Sequence, residues 1–136
     1  MIKKYIISGD DFITAGEASS NFKTVLKKLG ISPEVVRKVS IAMYEAEINT
    51  LIHGGGGECE AEIDGGKIRL VFRDNGPGIA NIDLAMQEGY STASDKIREW
   101  GFGAGMGLPN IKKYTDDMHI KTAPGEGTTL TLIVNL

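Results

Sequence analysis

Alternating glycines mark the segment GFGAGMGLPNIKK at residues 101–113. They occupy every second position: Gly101, Gly103, Gly105 and Gly107. Glycine has no Cβ, so such a run lets a ligand approach the backbone closely but supplies no side chains for packing. Pro109 and a helical pattern follow at once, and the free amides at the N-terminus of a helix attract anions. The run therefore predicts a phosphate-binding loop that leads into a helix, with a flexible linker as the alternative.

The spacing of these glycines excludes two common phosphate-binding motifs. It does not fit the G-x-G-x-x-G fingerprint of a dinucleotide-binding βαβ unit, and the G-x-x-x-x-G-K-[ST] motif of a P-loop is absent from the chain. If the run binds phosphate, it does so in a different architecture from these two.

Length and charge exclude several classes of protein. A chain of 136 residues suits one domain, here 1–136, and a net charge of −3 argues against a nucleic-acid partner. Cys59 is the single cysteine, which excludes a disulfide framework and a cysteine zinc site. No signal peptide or membrane span is visible. We expect a cytoplasmic protein with no membrane partner.

Two consecutive helices are predicted in the first half of the chain. Thr14 and Glu17 have the spacing of a capping box for the first helix, and Gly30 would end it. Ser32-Pro33 would begin the second helix, which runs to about His53, directly before four glycines. The apolar stripe expected on the first helix is Ala15, Phe22, Leu26 and Leu29.

The remaining elements define the fold class. Alternating apolar residues predict strands at 3–8, on both sides of the turn Gly65-Gly66, and at 118–123 and 128–135. A third helix is expected from about Leu108 to about Tyr114. This order predicts an α+β two-layer sandwich, with the helices on one face of a mixed, mostly antiparallel sheet. The span 80–107 is too long for an ordinary connection, and we expect it to form a functional lid.

Three polar residues share one face of the second predicted helix. Glu45, Asn49 and His53 follow one another at intervals of four residues. Asn49 could give its amide oxygen to Mg²⁺, and Glu45, one turn away, could take a proton from an attacking hydroxyl group. The alternative is a polar stripe at the edge of a helix. For His53, a cap at the C-terminus of the helix, where a partly charged imidazole is favoured, is preferred to a catalytic role.

The sequence DNGPGI at residues 74–79 follows an apolar strand. It could be a plain Asp-Asn-Gly turn. It could also direct Asp74 into a pocket, where the carboxylate accepts a hydrogen bond from an exocyclic amine while Gly76 and Gly78 let a flat ring approach the backbone.

These motifs occur in the order E-x-x-x-N, D-x-G-x-G-I, G-x-G-x-G-x-G-L and G-T. In that order they resemble the N, G1 and G2 boxes of the GHKL ATP-binding superfamily, whose shared architecture is the Bergerat fold. The superfamily includes DNA gyrase, Hsp90, histidine kinases and MutL, and the resemblance covers nearly the whole chain.

The resemblance implies ATP and Mg²⁺ as cofactors. It implies Glu45 as the catalytic base, Asn49 as the Mg²⁺ ligand and Asp74 as the adenine contact, with Thr128 beside Asp74. The four alternating glycines would belong to an ATP lid at about 80–107. The further residues expected to contact ATP are Gly76, Gly78, Ile79, Gly101, Gly103, Gly105, Met106, Gly107 and Leu108.

A domain of this length is similar to the anti-sigma-factor and switch-protein serine kinases of bacterial partner-switching systems. The implied function is phosphorylation of a serine or threonine on a small, STAS-like antagonist protein. A sigma factor or another regulator is a further implied partner. A homodimer is one option for the oligomeric state. The alternatives are an ATP-gated protein-binding module and an ATPase without phosphoryl transfer.

Overall fold

A five-stranded antiparallel sheet and three helices form the part of the protein that the computed structural model describes, residues 1–9, 14–76, 78 and 107–136. α2 is the central helix, because it packs against four of the five strands and against both other helices. The elements, in chain order, are β1 (Ile2–Ser8), α1 (Glu17–Lys28), α2 (Pro33–Ile52), β2 (Gly56–Asp64), β3 (Lys67–Asp74), α3 (Gly107–Lys113), β4 (Asp117–Thr122) and β5 (Thr128–Asn135).

The strands are ordered β1-β2-β3-β5-β4, and all four pairings are antiparallel. The expected two-layer arrangement is confirmed, but the mixed sheet that we expected is not found among the described strands. Tight turns at Gly65-Gly66 and at residues 123–127 join β2 to β3 and β4 to β5, and strands joined by tight turns must pair antiparallel.

The core lies between the sheet and the helices. Alternate residues of β3 and β5 face it, and Ile68, Leu70 and Leu132 are fully buried there. From α1 and α2, Phe22 and Met43 close the same core. Burial of these large apolar side chains is the main favourable contribution to the stability of the fold.

α2 follows its predicted boundaries. Ser32 is the N-cap residue, and its side chain accepts a hydrogen bond from the backbone N–H of Val35 at 3.4 Å. Proline occupies the first position of the helix, where its missing N–H costs nothing. Neither this 20-residue helix nor any other helix in the described part of the chain has the length and apolar character needed to cross a membrane.

The start of α1 differs from the prediction. The helix begins at Glu17, and its N-cap residue is Gly16, with a φ of 94°. Glycine has no side chain that could accept a hydrogen bond from the first N–H groups of the helix. The predicted capping box of Thr14 and Glu17 is wrong, because Gly16 and not Thr14 is the N-cap residue. The backbone N–H of Glu17 donates a hydrogen bond to the carbonyl oxygen of Thr14, at 3.1 Å. Leu29, expected in the apolar stripe, is 48% exposed because α1 ends one residue before it.

A glutamate of α2 caps α1 instead. Oε2 of Glu47 accepts hydrogen bonds from the backbone N–H groups of Gly16 and Ala18 at 3.0 and 3.2 Å, and Oε1 accepts one from Ser19 at 3.0 Å. Glu47 is only 3% exposed. Its negative charge lies against the positive end of the α1 dipole, so the interaction stabilises both helices in contact.

Candidate functional site

Glu45 and Asn49 lie half-buried on the C-terminal half of α2, facing the first turn of α3. Gly107, the first residue of α3, lies directly against Asn49. A Cβ atom at position 107 would be 2.8 Å from Oδ1 and 2.9 Å from Nδ2 of Asn49. A side chain at position 107 would therefore displace the Asn49 amide or shift α3.

Glu45 experiences two opposing influences. Burial raises the pKa of its carboxyl group above the ordinary value, and a hydrogen bond from the side chain of Asn110 lowers it to a smaller extent. A carboxylate with a raised pKa accepts a proton more readily than an exposed one. The sequence analysis missed Asn110, because only the packing of α3 on α2 brings it to Glu45.

Asp74 is the last residue of β3. Its neighbours across the sheet are Gly57 of β2 and Thr128 of β5. Oδ1 of Asp74 accepts a hydrogen bond from the backbone N–H of Gly76 at 2.9 Å, so the turn predicted from the Asp-Asn-Gly sequence is present.

The end of α2 contacts the same carboxylate. A Cβ atom on Gly54 would be 2.5 Å from both Cβ and Cγ of Asp74 and 2.7 Å from Oδ2. The first glycine after α2 therefore allows Asp74 to lie against the end of the helix that carries Glu45 and Asn49. The sequence analysis used Gly54 only as a helix stop; its role beside Asp74 depends on the strand register.

Gly76 and Gly78 are required by neighbouring backbone. A Cβ on Gly76 would be 2.7 Å from the Cα of Gly54, and one on Gly78, where φ is 76°, would be 2.2 Å from the carbonyl oxygen of Ala123. The approach of a flat ring to these glycines stays a prediction, because close backbone packing by itself explains both.

Thr128 begins β5 beside Asp74. The Oγ1 atoms of Thr128 and Thr122 are 3.0 Å apart, and Oγ1 of Thr122 donates to the carbonyl oxygen of Gly127 at 3.0 Å. The hydroxyl of Thr128 is thus held by its neighbour across the last hairpin, at the end of the sheet that carries Asp74.

His53 is the C-cap residue of α2, and its backbone N–H donates to the carbonyl oxygen of Asn49 at 2.9 Å. The preferred interpretation of His53 as a cap is confirmed. The partial positive charge expected on its imidazole is not confirmed. Burial lowers the pKa of the ring, and the nearby carboxylate of Asp74 raises that pKa only to a smaller extent. Burial of the ring favours the neutral form.

The predicted site residues that the structure describes lie on α2, α3, β3 and β5 and in the segment directly after β3. α3 lies against Glu45 and Asn49, and Asp74 and Thr128 lie together where β3 ends and β5 begins. Leu108 is 9% exposed and belongs to the hydrophobic core, where it anchors α3. Five predicted contacts lie outside the described residues: Ile79, Gly101, Gly103, Gly105 and Met106.

The described residues contain no group of three or more His, Cys, Asp or Glu side chains that could hold a metal ion. The polar side chains of the predicted site are therefore too few to hold a metal ion entirely by themselves. A site with few protein oxygens fits Mg²⁺, which takes one or two protein oxygens and keeps water or phosphate oxygens as its other ligands. Asn49 offers one such oxygen.

Comparison with known protein families gives one match that spans most of the chain. Residues 34–136 match the family described as histidine kinase-, DNA gyrase B-, and HSP90-like ATPases. The chain belongs to this family. The resemblance predicted from the motifs is thus confirmed, and a family of ATPases supports ATP as the nucleotide.

Curated relatives place the chain near bacterial regulators. It is 30% identical to the serine/threonine-protein kinase RsbT of Bacillus subtilis over 127 residues, which are 90% of this chain and 87% of RsbT. It is 30% identical over 127 residues to an anti-sigma F factor of a Thermoanaerobacter species, with 87% and 85% of the two chains covered.

Solved structures confirm the fold. A crystal structure of the RsbU and RsbW domains of a Mycobacterium tuberculosis protein aligns with a TM-score of 0.66 and 18% identity, covering 98% of this chain and 31% of that one. The SiaB–SiaC complex of Pseudomonas aeruginosa contains a chain that aligns with a TM-score of 0.57 and 11% identity, covering 98% of this chain and 89% of that one.

Proposed function

We propose that this protein is an ATP-dependent protein-serine/threonine kinase of a bacterial partner-switching system. Its substrate is a serine or threonine on a small, STAS-like antagonist protein. The similarity to a serine/threonine-protein kinase and to an anti-sigma factor over most of the chain supports the kinase class. The structural observation that carries the proposal is the pairing of Glu45 and Asn49 on one face of α2 against α3.

Each site residue has a role in this proposal. Asp74 accepts a hydrogen bond from the exocyclic amine of adenine, and Thr128 supports it. Asn49 supplies an oxygen ligand to Mg²⁺, which neutralises charge on the phosphates when it is bound. The alternating glycines of the predicted lid, 80–107, surround the phosphates with backbone amides.

Glu45 serves as the base. The hydroxyl oxygen of the substrate attacks the γ-phosphorus, the bond from that phosphorus to the β–γ bridging oxygen breaks, and ADP leaves. The hydroxyl proton passes to the carboxylate of Glu45. Partial burial, which raises the pKa of Glu45, suits the carboxylate to this transfer.

The proposal extends to the surroundings of the kinase. A sigma factor or another regulator is the second protein whose availability the antagonist controls. We also propose that the protein forms a homodimer and is located in the cytoplasm.

A paired measurement on one preparation tests the kinase. We expect Glu45→Gln to keep ATP affinity within a few-fold by calorimetry, while transfer of labelled phosphate to the antagonist falls by roughly 10²–10⁴, the range for a lost general base. Asn49→Ala should lose Mg²⁺-dependent ATP binding and transfer together. The control is Glu34→Gln, an exposed glutamate in the first turn of the same helix.

The two main candidate functions give opposite results in the wild type. If the wild-type protein binds an antagonist tightly with ATP but transfers no phosphate, the kinase proposal fails. An ATP-gated protein-binding module would then explain the site.

A further inference from the structure

A row of polar side chains crosses the sheet at one end of the core. Asp74 of β3 pairs in register with Thr128 of β5, and Thr128 pairs with Thr122 of β4. Residues that lie opposite each other on neighbouring strands point to the same face of a sheet, so the three side chains share one face. Two positions along each strand, the same face carries the apolar residues Phe72, Leu130 and Ile120. The polar row is therefore the end of the face that packs against the helices.

The hydroxyl groups of the two threonines have a fixed order of donor and acceptor. Oγ1 of Thr122 is 3.0 Å from the carbonyl oxygen of Gly127 and 3.0 Å from Oγ1 of Thr128. A carbonyl oxygen can only accept, so the single hydroxyl proton of Thr122 goes to Gly127. In the second contact Thr122 is then the acceptor, and Thr128 must be the donor. Toward any other group, the hydroxyl of Thr128 can only accept.

Close packing of the backbone holds this arrangement in place. A Cβ atom on Gly127, where φ is 77°, would overlap the carbonyl oxygen of Asp74. The carbonyl group that accepts from Thr122 therefore belongs to a turn that is packed against the backbone of Asp74. Gly78, one of the predicted nucleotide contacts, is close to the same hydroxyl, because a Cβ atom there would be 3.1 Å from Oγ1 of Thr122.

We propose that Thr122 is a positioning residue for nucleotide selection, because it takes up the hydroxyl proton of Thr128 and leaves Thr128 as an acceptor. This inference rests on the proposed function, in which Asp74 and Thr128 receive the exocyclic amine of adenine. It adds a residue that lies outside the predicted site, and it assigns the hairpin of β4 and β5 a part in the choice of base.

Asp74 and Thr128 together then present only acceptors to the base. An ionised carboxylate cannot donate, and Oδ1 of Asp74 already accepts from the backbone N–H of Gly76. The amine of adenine has two hydrogens, so it can donate to the carboxylate and, directly or through a water, to the oxygen of Thr128. A base with a carbonyl group at that position, such as hypoxanthine, places an acceptor against acceptors. The pair therefore selects an amine over a carbonyl by repulsion as well as by attraction.

Calorimetry with ATP and with ITP, whose base is hypoxanthine, tests this role without any phosphate transfer. We expect the wild type to bind ATP more tightly than ITP. Thr122→Val should reduce the ratio of the two affinities about ten-fold, the effect of one neutral hydrogen bond. Valine has no hydroxyl group, so Thr128 can turn its proton toward the carbonyl of ITP. Thr122→Ser keeps the hydroxyl and should keep the wild-type ratio.

Two further variants separate base selection from a structural role. Thr131→Val makes the same substitution on the other face of β5 and should keep the wild-type ratio. Thr128→Val removes the group through which Thr122 acts, so adding Thr122→Val to it should change the ratio no further. A loss of folded protein would weaken ATP and ITP binding in parallel, and the ratio does not respond to it. Valine favours strands, so these variants are expected to fold.

Several results would overturn the inference. They are an unchanged ratio or a parallel loss of both affinities in Thr122→Val, a reduced ratio in Thr122→Ser, or a further change when Thr122→Val is added to Thr128→Val. A wild type that binds ATP and ITP equally refutes the proposed contact of Asp74 with adenine, and the role of Thr122 with it. If the wild type prefers ATP and Thr122→Val prefers it to the same degree, only the inference fails.

Discussion

Glu45 and Glu47 lie two residues apart on α2 and face different parts of the molecule. Glu47 is almost fully buried and accepts three backbone hydrogen bonds from the start of α1. Glu45 is half-buried on the side of α2 that faces α3, and burial raises the pKa of its carboxyl group. Their surroundings separate them: a carboxylate that accepts three backbone hydrogen bonds is an anchor, whereas a partly exposed carboxylate whose pKa is raised by burial can accept a proton.

The largest expected effect concerns the anchor. Glu47→Ala leaves three N–H groups of α1 without their acceptor, so we expect the free energy of unfolding to fall by roughly 3–5 kcal/mol. Urea unfolding measures this loss. The matched variant Glu47→Gln keeps one carbonyl oxygen and should lose less. A loss below about 1 kcal/mol for Glu47→Ala would show that Glu47 does not anchor α1.

A smaller effect is expected on the opposite side of α2. Gly107→Ala places a methyl group 2.8 Å from the Asn49 amide, so either Asn49 or α3 must move. We expect affinity for ATP with Mg²⁺ to fall about ten-fold, which corresponds to about 1.4 kcal/mol. Calorimetry measures it. The control is Gly65→Ala in the β2–β3 turn, where an added Cβ meets nothing within 4 Å. If Gly107→Ala leaves the affinity for ATP with Mg²⁺ unchanged, the contact between α3 and Asn49 does not contribute to the proposed site.

The smallest expected effect concerns the pH dependence of the stability that Glu45 contributes. The raised pKa of Glu45 means that its contribution to stability is fully present below the ordinary glutamate pKa and is lost as the pH rises through the raised value. Glutamine does not titrate. We therefore expect the wild type to lose stability relative to Glu45→Gln across that interval, and to be no more stable than the variant at neutral pH.

Urea unfolding of both proteins at a series of pH values measures this difference, with Glu34→Gln as an exposed control. A wild type that gains stability over Glu45→Gln as the pH rises would contradict the interpretation. Glu45 would then be a carboxylate that the fold stabilises in its charged form.

The boundaries of the main elements were predictable because they depend on local chemistry. Ser32-Pro33 specifies the start of α2 through a side-chain cap and a fixed φ, and Gly65-Gly66 specifies the turn between β2 and β3. The predicted motif order also identified the family, because a nucleotide site of this kind needs particular residues at particular spacings along the chain.

The start of α1 could not be predicted in the same way. The sequence offers a plausible local cap in Thr14 and Glu17, but the carboxylate of Glu47, some thirty positions later, provides the hydrogen bonds. A local signal was outcompeted because a buried carboxylate against three N–H groups is a stronger interaction than an exposed cap.

The sequence by itself determined the family, the class of nucleotide and the pairing of Glu45 with Asn49 on one helix, since a spacing of four residues places two side chains on one face wherever a helix forms. Only the tertiary structure decided their partners. Gly107 meets Asn49, and Gly54 meets Asp74, because helix packing and strand register join positions that are distant along the chain. Contacts of that kind depend on how whole elements pack, and no local pattern encodes them.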